Sequence, residues 1–226
     1  MSTTAEFSSD GNGQALKFEV ELPPWAVDEL KVTPKTFPTL EERMAVVNRF
    51  ARLNVQHNTG GPFAAAVVQK DTGKLIAIGV NRVVHSNCSS AHAEVVAITL
   101  AQQTLGTFDL GGRNLPEHQL VVNWTPCAMC YGAVLWSGVR SMVAAGFGDE
   151  LEEITGFDEG PRPADWKGEY EKRGVEVILD VGRQESLEVF EYFRDSGNLV
   201  YNARSGEIET SGVSGLSETS PHVTTE

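Results

Sequence analysis

His92-Ala93-Glu94 and, farther along, Pro126-Cys127-Ala128-Met129-Cys130 hold the side chains of this sequence best suited to chemistry. A catalytic zinc ion typically takes three protein ligands and keeps a fourth position for water, whereas a structural zinc site closes all four positions with Cys or His. His92, Cys127 and Cys130 supply three. Thiols at i and i+3 share one face of a helix, and at its first turn the backbone N–H groups and the helix dipole favour the ionised sulfurs. Pro126 suits a helix start, where a missing N–H has no partner to lose. Zinc lowers the pKa of a bound water to about 7. Glu94, two residues past the histidine, is close enough to exchange a proton with such a water and with a ring nitrogen, as a general acid/base must.

A lone C-x-x-C also occurs as half of a structural zinc site or as a redox pair, and Cys88 would complete a closed Cys3His set. Glu94 weighs against both alternatives, since neither has a use for it. Cys88 reads more simply as a small buried residue. His57, His85, His118 and His222 lack partner motifs and read as surface or satisfied-core histidines. Buried packing is the expectation for Trp124, Trp136 and Trp166.

These residues need elements to hold them. Thr39 and Glu42 form a T-x-x-E capping box, after which Met44, Val47, Phe50, Ala51 and Val55 recur at helical spacing until Gly60-Gly61. Two apolar runs, Phe63 to Val68 and Leu75 to Val80, flank Asp71-Thr72-Gly73-Lys74 and read as a β-hairpin. A helix is expected from near His92 through Leu100, a strand over Gln119 to Asn123, a second metal-bearing helix over Cys127 to Trp136, and a strand over Arg140 to Gly146. Gly156 to Pro163 is dense in turn residues and charge and reads as a loop beside or over something. Val175 to Val181 makes a fifth strand, Arg183 to Asp195 a closing helix, and Tyr201 to Arg204 a short tail. Helices alternating with strands point to an α/β fold, a three-layer α/β/α sandwich around a mixed five-stranded sheet.

At 226 residues the chain has room for one domain with tails. Residues 1–38 read as an N-terminal extension, 39–204 as the zinc domain and 205–226, rich in Ser, Thr, Gly and Glu, as a disordered tail. Three cysteines, two of them committed to metal, leave no disulfide framework and point to a reducing compartment, the cytoplasm. No stretch approaches the ~20 apolar residues of a membrane span, and residues 1–14 carry no apolar signal core, so no membrane partner is expected. With a formal net charge of -13 and no visible Lys/Arg cluster, attraction to a phosphate backbone is unfavourable, which argues against a nucleic-acid partner. The acidic run 149–153 reads as a solvated helix face.

From about Leu40 to Arg204 the sequence resembles the cytidine deaminase-like superfamily, whose zinc members carry H-x-E followed by P-C-x-x-C. Within it the chain is similar to the bacterial zinc-dependent guanine deaminases. The resemblance is carried by Gly61 to Ala65, by Asn81 to Val83 and above all by Gly156-Phe157-Asp158-Glu159-Gly160-Pro161-Arg162-Pro163. It implies zinc held by His92, Cys127 and Cys130, Glu94 as proton shuttle and Glu159 as a second carboxylate. It also implies Asn81 hydrogen-bonded to the base, Phe63 packed on it and Ala93 at the substrate, with residues 199–204 closing the site. The implied reaction is hydrolytic deamination of guanine to xanthine and ammonia. Water attacks C2, Glu94 moves a proton to N3 and Glu159 assists the departing amine. A small purine base as partner and a homodimer follow from the same likeness. On the residues alone, other readings stay open: a deaminase of another base or nucleoside (guanosine, cytosine, ammeline), a tRNA adenosine deaminase, or a zinc-stabilised scaffold. Taken without the likeness, Asn81 could be a turn asparagine, Phe63 plain core and Glu159 a loop-surface carboxylate.

Overall fold

The capping box forms as expected. In a computed structural model describing residues 14–202, the Thr39 hydroxyl accepts the Glu42 N–H at 3.2 Å and the Glu42 carboxylate accepts the Thr39 N–H at 3.0 Å. Together they start helix α2 at Leu40–Gln56, by the reciprocal satisfaction of end groups that defines the motif. Met44, Val47, Phe50 and Ala51 of α2 are fully buried. Truncating such an aromatic as Phe50 to Ala costs about 3–5 kcal/mol. An element unforeseen in the sequence reading precedes it, helix α1 at Pro24–Val32, with proline at its start. It lies within the stretch taken as an extension, yet its Ala26 is fully buried, and Trp25 lies 5.9 Å from Phe50 and bonds the Thr59 hydroxyl. The expectations for residues 1–13 and 203–226, including His222, Ala203 and Arg204, lie outside the described residues.

The hairpin is strands β1 (Ala64–Gln69) and β2 (Leu75–Val80), antiparallel. Helix α3 (Ala93–Leu105) leads to strand β3 (His118–Val122), helix α4 (Ala128–Ser137) and strand β4 (Ser141–Ala144). Then come short helices α5 (Glu150–Thr155) and α6 (Trp166–Glu171), strand β5 (Glu176–Ile178) and helix α7 (Arg183–Ser196). The sheet order is β2-β1-β3-β4-β5. It is mixed as expected, with β1 antiparallel to both β2 and β3, and β3, β4 and β5 parallel.

Every β1 residue from Ala64 to Val68 is fully buried, because both sheet faces are covered. Ala64, Ala66 and Val68 point into a core shared with α1 and α2; Ala65 and Val67 point into one shared with α3 and α4. This alternation, period two along the strand, builds the three layers. The acidic run opens α5 with its glutamates outward or half-buried, but Leu151 is fully buried inside it. β5 is shorter than expected because Asp180 and Gly182 both adopt left-handed backbone, which ends the strand before α7. Among the described residues no helix is long and apolar enough to cross a membrane.

Candidate active site

Two helix starts meet at the ends of the central strands. His92 is the N-cap residue of α3, with Glu94 in its first turn, and Cys127 is the N-cap residue of α4, its sulfur accepting the Cys130 N–H at 3.5 Å. Gly79 on β2 lets α3 approach, since a Cβ there would run into the Ala93 carbonyl and the Ala97 nitrogen. His92 Nδ1 and Cys127 Sγ stand 3.5 Å apart, and the donor atoms of His92, Cys127 and Cys130 lie within 4.8 Å of one another. Ligands about 2.0–2.3 Å from one tetrahedral ion would stand roughly 3.5 Å apart, so this imidazole–dithiol set fits zinc. Cys88 does not join it; half-buried, it faces the Ser90 hydroxyl at 3.1 Å.

The charges are strongly coupled. The hydrogen bond from Cys130 draws the Cys127 thiol down to about 4, while that same bond and burial push Cys130 well above the usual thiol range. A thiolate is what a soft metal ion binds. Burial opposes a charge on His92, but the Cys127 hydrogen bond and the negative groups around it raise its pKa. Glu94 is 6 % exposed, and burial, seconded by the Cys127 charge, raises its carboxyl. Burial also pushes Glu159 up to about 8, helped by Cys127 and Glu94.

A cavity of about 550 Å³ opens over this centre and is lined by Asn81, Phe63, His92, Glu94, Cys127 and Glu159 among others. The structure thus brings together all but one of the residues singled out in the sequence. The exception is Ala93, whose side chain is fully buried in the core between α3 and the sheet and does not line the cavity. Phe63 is both core and wall, half-buried and edge-on to Phe157 at 5.3 Å.

Asn81 is 1 % exposed, and its amide is oriented by its neighbours. The Oδ1 atom accepts the Gly61 N–H at 3.4 Å and the Val83 N–H at 3.3 Å, so the cavity meets Nδ2, which donates to the Tyr201 hydroxyl. Asn54, from the buried face of α2, donates to the carbonyls of Gly61 and Asn81 at 2.9 and 3.0 Å. It was missed in the sequence, where the signal was an asparagine on an apolar helix face. Of the expected closing segment, residues 199–202 are described. Tyr201 packs on Phe157 at 4.9 Å, and Asn202 accepts the Asp158 N–H at 3.0 Å while donating to the Gly156 carbonyl at 2.8 Å.

Thr125 and Trp124 also line the cavity; Trp124 packs edge-on against Phe190 at 5.5 Å, and Trp166 packs on Tyr170 at 6.2 Å. Trp136, expected to be buried, is 89 % exposed on the outer side of α4. His118 is fully buried with Nδ1 at 2.8 Å from the Leu110 carbonyl, and His57 stacks on Trp25 at 5.2 Å.

Residues 39–146 match the model of the cytidine and deoxycytidylate deaminase zinc-binding region. The guanine deaminase of Bacillus subtilis (strain 168) is 39 % identical over 105 residues, which are 46 % of this chain and 62 % of that protein. The match thus spans less than two thirds of that relative. A solved guanine deaminase from Nitrosomonas europaea is 44 % identical with a TM-score of 0.75, the match covering 79 % of this chain and 97 % of that one. A further solved chain, a mutant in complex with 8-azaguanine, is 43 % identical with a TM-score of 0.76, over 80 % of this chain and 99 % of its own. The chain belongs to the family of deaminases with the cytidine and deoxycytidylate deaminase zinc-binding region, and within it stands near the guanine deaminases.

Proposed function

We propose that the protein hydrolyses guanine to xanthine and ammonia, with zinc held by His92, Cys127 and Cys130. The observation that carries this reading is the placement of two carboxyls, the buried Glu94 and the half-buried Glu159, on one cavity roomy enough for a purine base beside a three-ligand donor set. Zinc, when bound, supplies Lewis acidity that makes water a nucleophile at neutral pH.

The protein's own residues do the rest. Glu94 takes a proton from the incoming water and places it on N3 of the base as C2 becomes tetrahedral. Glu159 gives a proton to the exocyclic nitrogen, the C2–N bond breaks and ammonia leaves, and the proton released from the C2 hydroxyl as it becomes a carbonyl restores the carboxyl. Its burial makes it a weaker acid than a surface carboxyl and thus a better proton holder; a bound dication would oppose part of that shift. Asn81 offers a donor from Nδ2 to an acceptor on the purine edge, its own acceptor being spent on Gly61 and Val83. Phe63 and Phe157 wall the ring plane with apolar surface.

A free purine base as partner, a cytoplasmic setting and a homodimer belong to the same reading. Its test is ammonia release by the zinc-loaded protein with guanine, guanosine, cytosine, adenine and ammeline, each against a Glu94→Gln control. Guanine turnover that disappears in the control is the expected result; turnover of guanosine in preference to guanine would overturn the free-base assignment.

A further inference from the structure

Residues 156–163, which carry Glu159, form neither helix nor strand. The first half of this loop is well held. Phe157 is buried in an aromatic cluster, the Glu159 N–H donates to the Glu152 carboxylate at 3.0 Å, and the Glu159 carbonyl accepts the Ala128 N–H at 2.9 Å. Beyond Gly160 that support thins, because Pro161 and Pro163 have no N–H to give. Between these prolines Arg162 reaches back, and its Nη1 donates to the Thr125 hydroxyl at 2.9 Å and to the Pro126 carbonyl at 3.2 Å. Thr125 is 2 % exposed and lines the cavity, and Pro126 immediately precedes Cys127. One nitrogen therefore ties the loop bearing one carboxyl to the turn bearing a sulfur of the donor set.

We propose that Arg162 is a positioning residue for the deamination: by fastening residues 160–163 to the Thr125–Pro126 turn, it sets the Glu159 carboxyl against the reacting end of the cavity. This rests on the role assigned to Glu159 above. Both acceptors are uncharged, so these bonds fix geometry, while the Arg162 charge, felt at Glu159, pulls that carboxyl down slightly against the burial that raises it. A rigid guanidinium can serve two acceptors in set directions, whereas an ammonium on a flexible stem holds them less firmly. A reacting group misplaced by about 1 Å can lose on the order of a hundredfold in rate.

The experiment is a double-mutant cycle in the zinc-loaded full chain. Steady-state kinetics on guanine are measured for Arg162→Ala, Glu159→Gln and the double variant, with zinc content and melting temperature alongside. Arg162→Ala is expected to lower kcat by about tenfold or more while KM moves less than about threefold. In the Glu159→Gln background the same change should alter kcat by less than about twofold, the signature of two residues acting as one unit. Equal fold-losses in both backgrounds would overturn the inference, as would loss of zinc in Arg162→Ala. If Arg162→Ala does not fold, the cycle is run with Arg162→Lys, whose smaller loss must likewise vanish in the Glu159→Gln background. Glu159→Gln with unchanged kcat would remove the acid assignment itself, an outcome distinct from a lowered kcat with additive effects, which removes Arg162 alone.

Discussion

The two halves of the cavity are built by different means. On the metal side, His92, Glu94, Cys127 and Cys130 sit on the first turns of α3 and α4, helices packed against the central sheet. On the opposite side, Glu159, Tyr201 and Asn202 sit on segments without regular structure, joined to each other and to the body by a handful of hydrogen bonds and the aromatic packing of Phe157. Groups that must hold an ion in tetrahedral array need rigid supports. Groups that meet a base and let its product go are placed where small rearrangements cost least.

The largest expected effect tests the rigid half. Glu94→Gln keeps the size of the side chain and abolishes proton exchange, so kcat should fall by about 10²–10⁴-fold, the usual worth of a general acid/base. Zinc content, measured by metal analysis, should not change, since Glu94 is not among the three donor side chains brought together at His92, Cys127 and Cys130. A variant that loses zinc as well would make Glu94 part of the scaffold. The corresponding change on the loop side should cost less: for Glu159→Gln, a fall in kcat of roughly 10–100-fold with KM little altered. A rise in KM alone would demote Glu159 to a binding residue.

The same contrast decides what could be read from the sequence. The metal half was legible because its chemistry is written in short spacings, H-x-E and C-x-x-C, that coincide with helix starts. Capping, hairpin and strand alternation were legible because they are local too. The loop itself was legible from its turn residues, but the role of Glu159 came from likeness alone: nothing in its spacing tells a cavity carboxyl from a surface one, and it approaches Glu94 only through the folded chain. Asn54, Arg162 and the Tyr201 bond to Asn81 were invisible because each joins residues distant in sequence, at separations of 27, 37 and 120 positions. Helix α1 was missed for a different reason. It is short and its apolar residues do not share one face, for Val27 and Val32 are exposed while Ala26 and part of Trp25 are buried against α2.

Substituting a backbone support of the rigid half should act on stability first. Gly79→Ala puts a methyl group into the Ala93 carbonyl and the Ala97 nitrogen, so α3 must move off β2. Overpacking of this kind costs about 1–3 kcal/mol, and denaturant unfolding should show that loss together with weaker zinc retention. Unchanged stability would mean that α3 can shift freely, and the metal half would not be the stiff one.

Asn202→Ala is the matched insult to the other half and should be the mildest. It removes the acceptor of the Asp158 N–H and the donor to the Gly156 carbonyl, both at an exposed position where water can replace them. Each such bond is worth about 0.5–1.5 kcal/mol. Phe157, packed against Phe193 at 5.4 Å, keeps the loop's root in the core, so the melting temperature should hardly move. What should change is closure over the base, visible as a KM for guanine raised by about two- to tenfold with kcat largely kept. A drop in melting temperature comparable to that of Gly79→Ala would place this loop within the rigid framework, and the division of the cavity into a stiff metal wall and a loosely tethered one would fail.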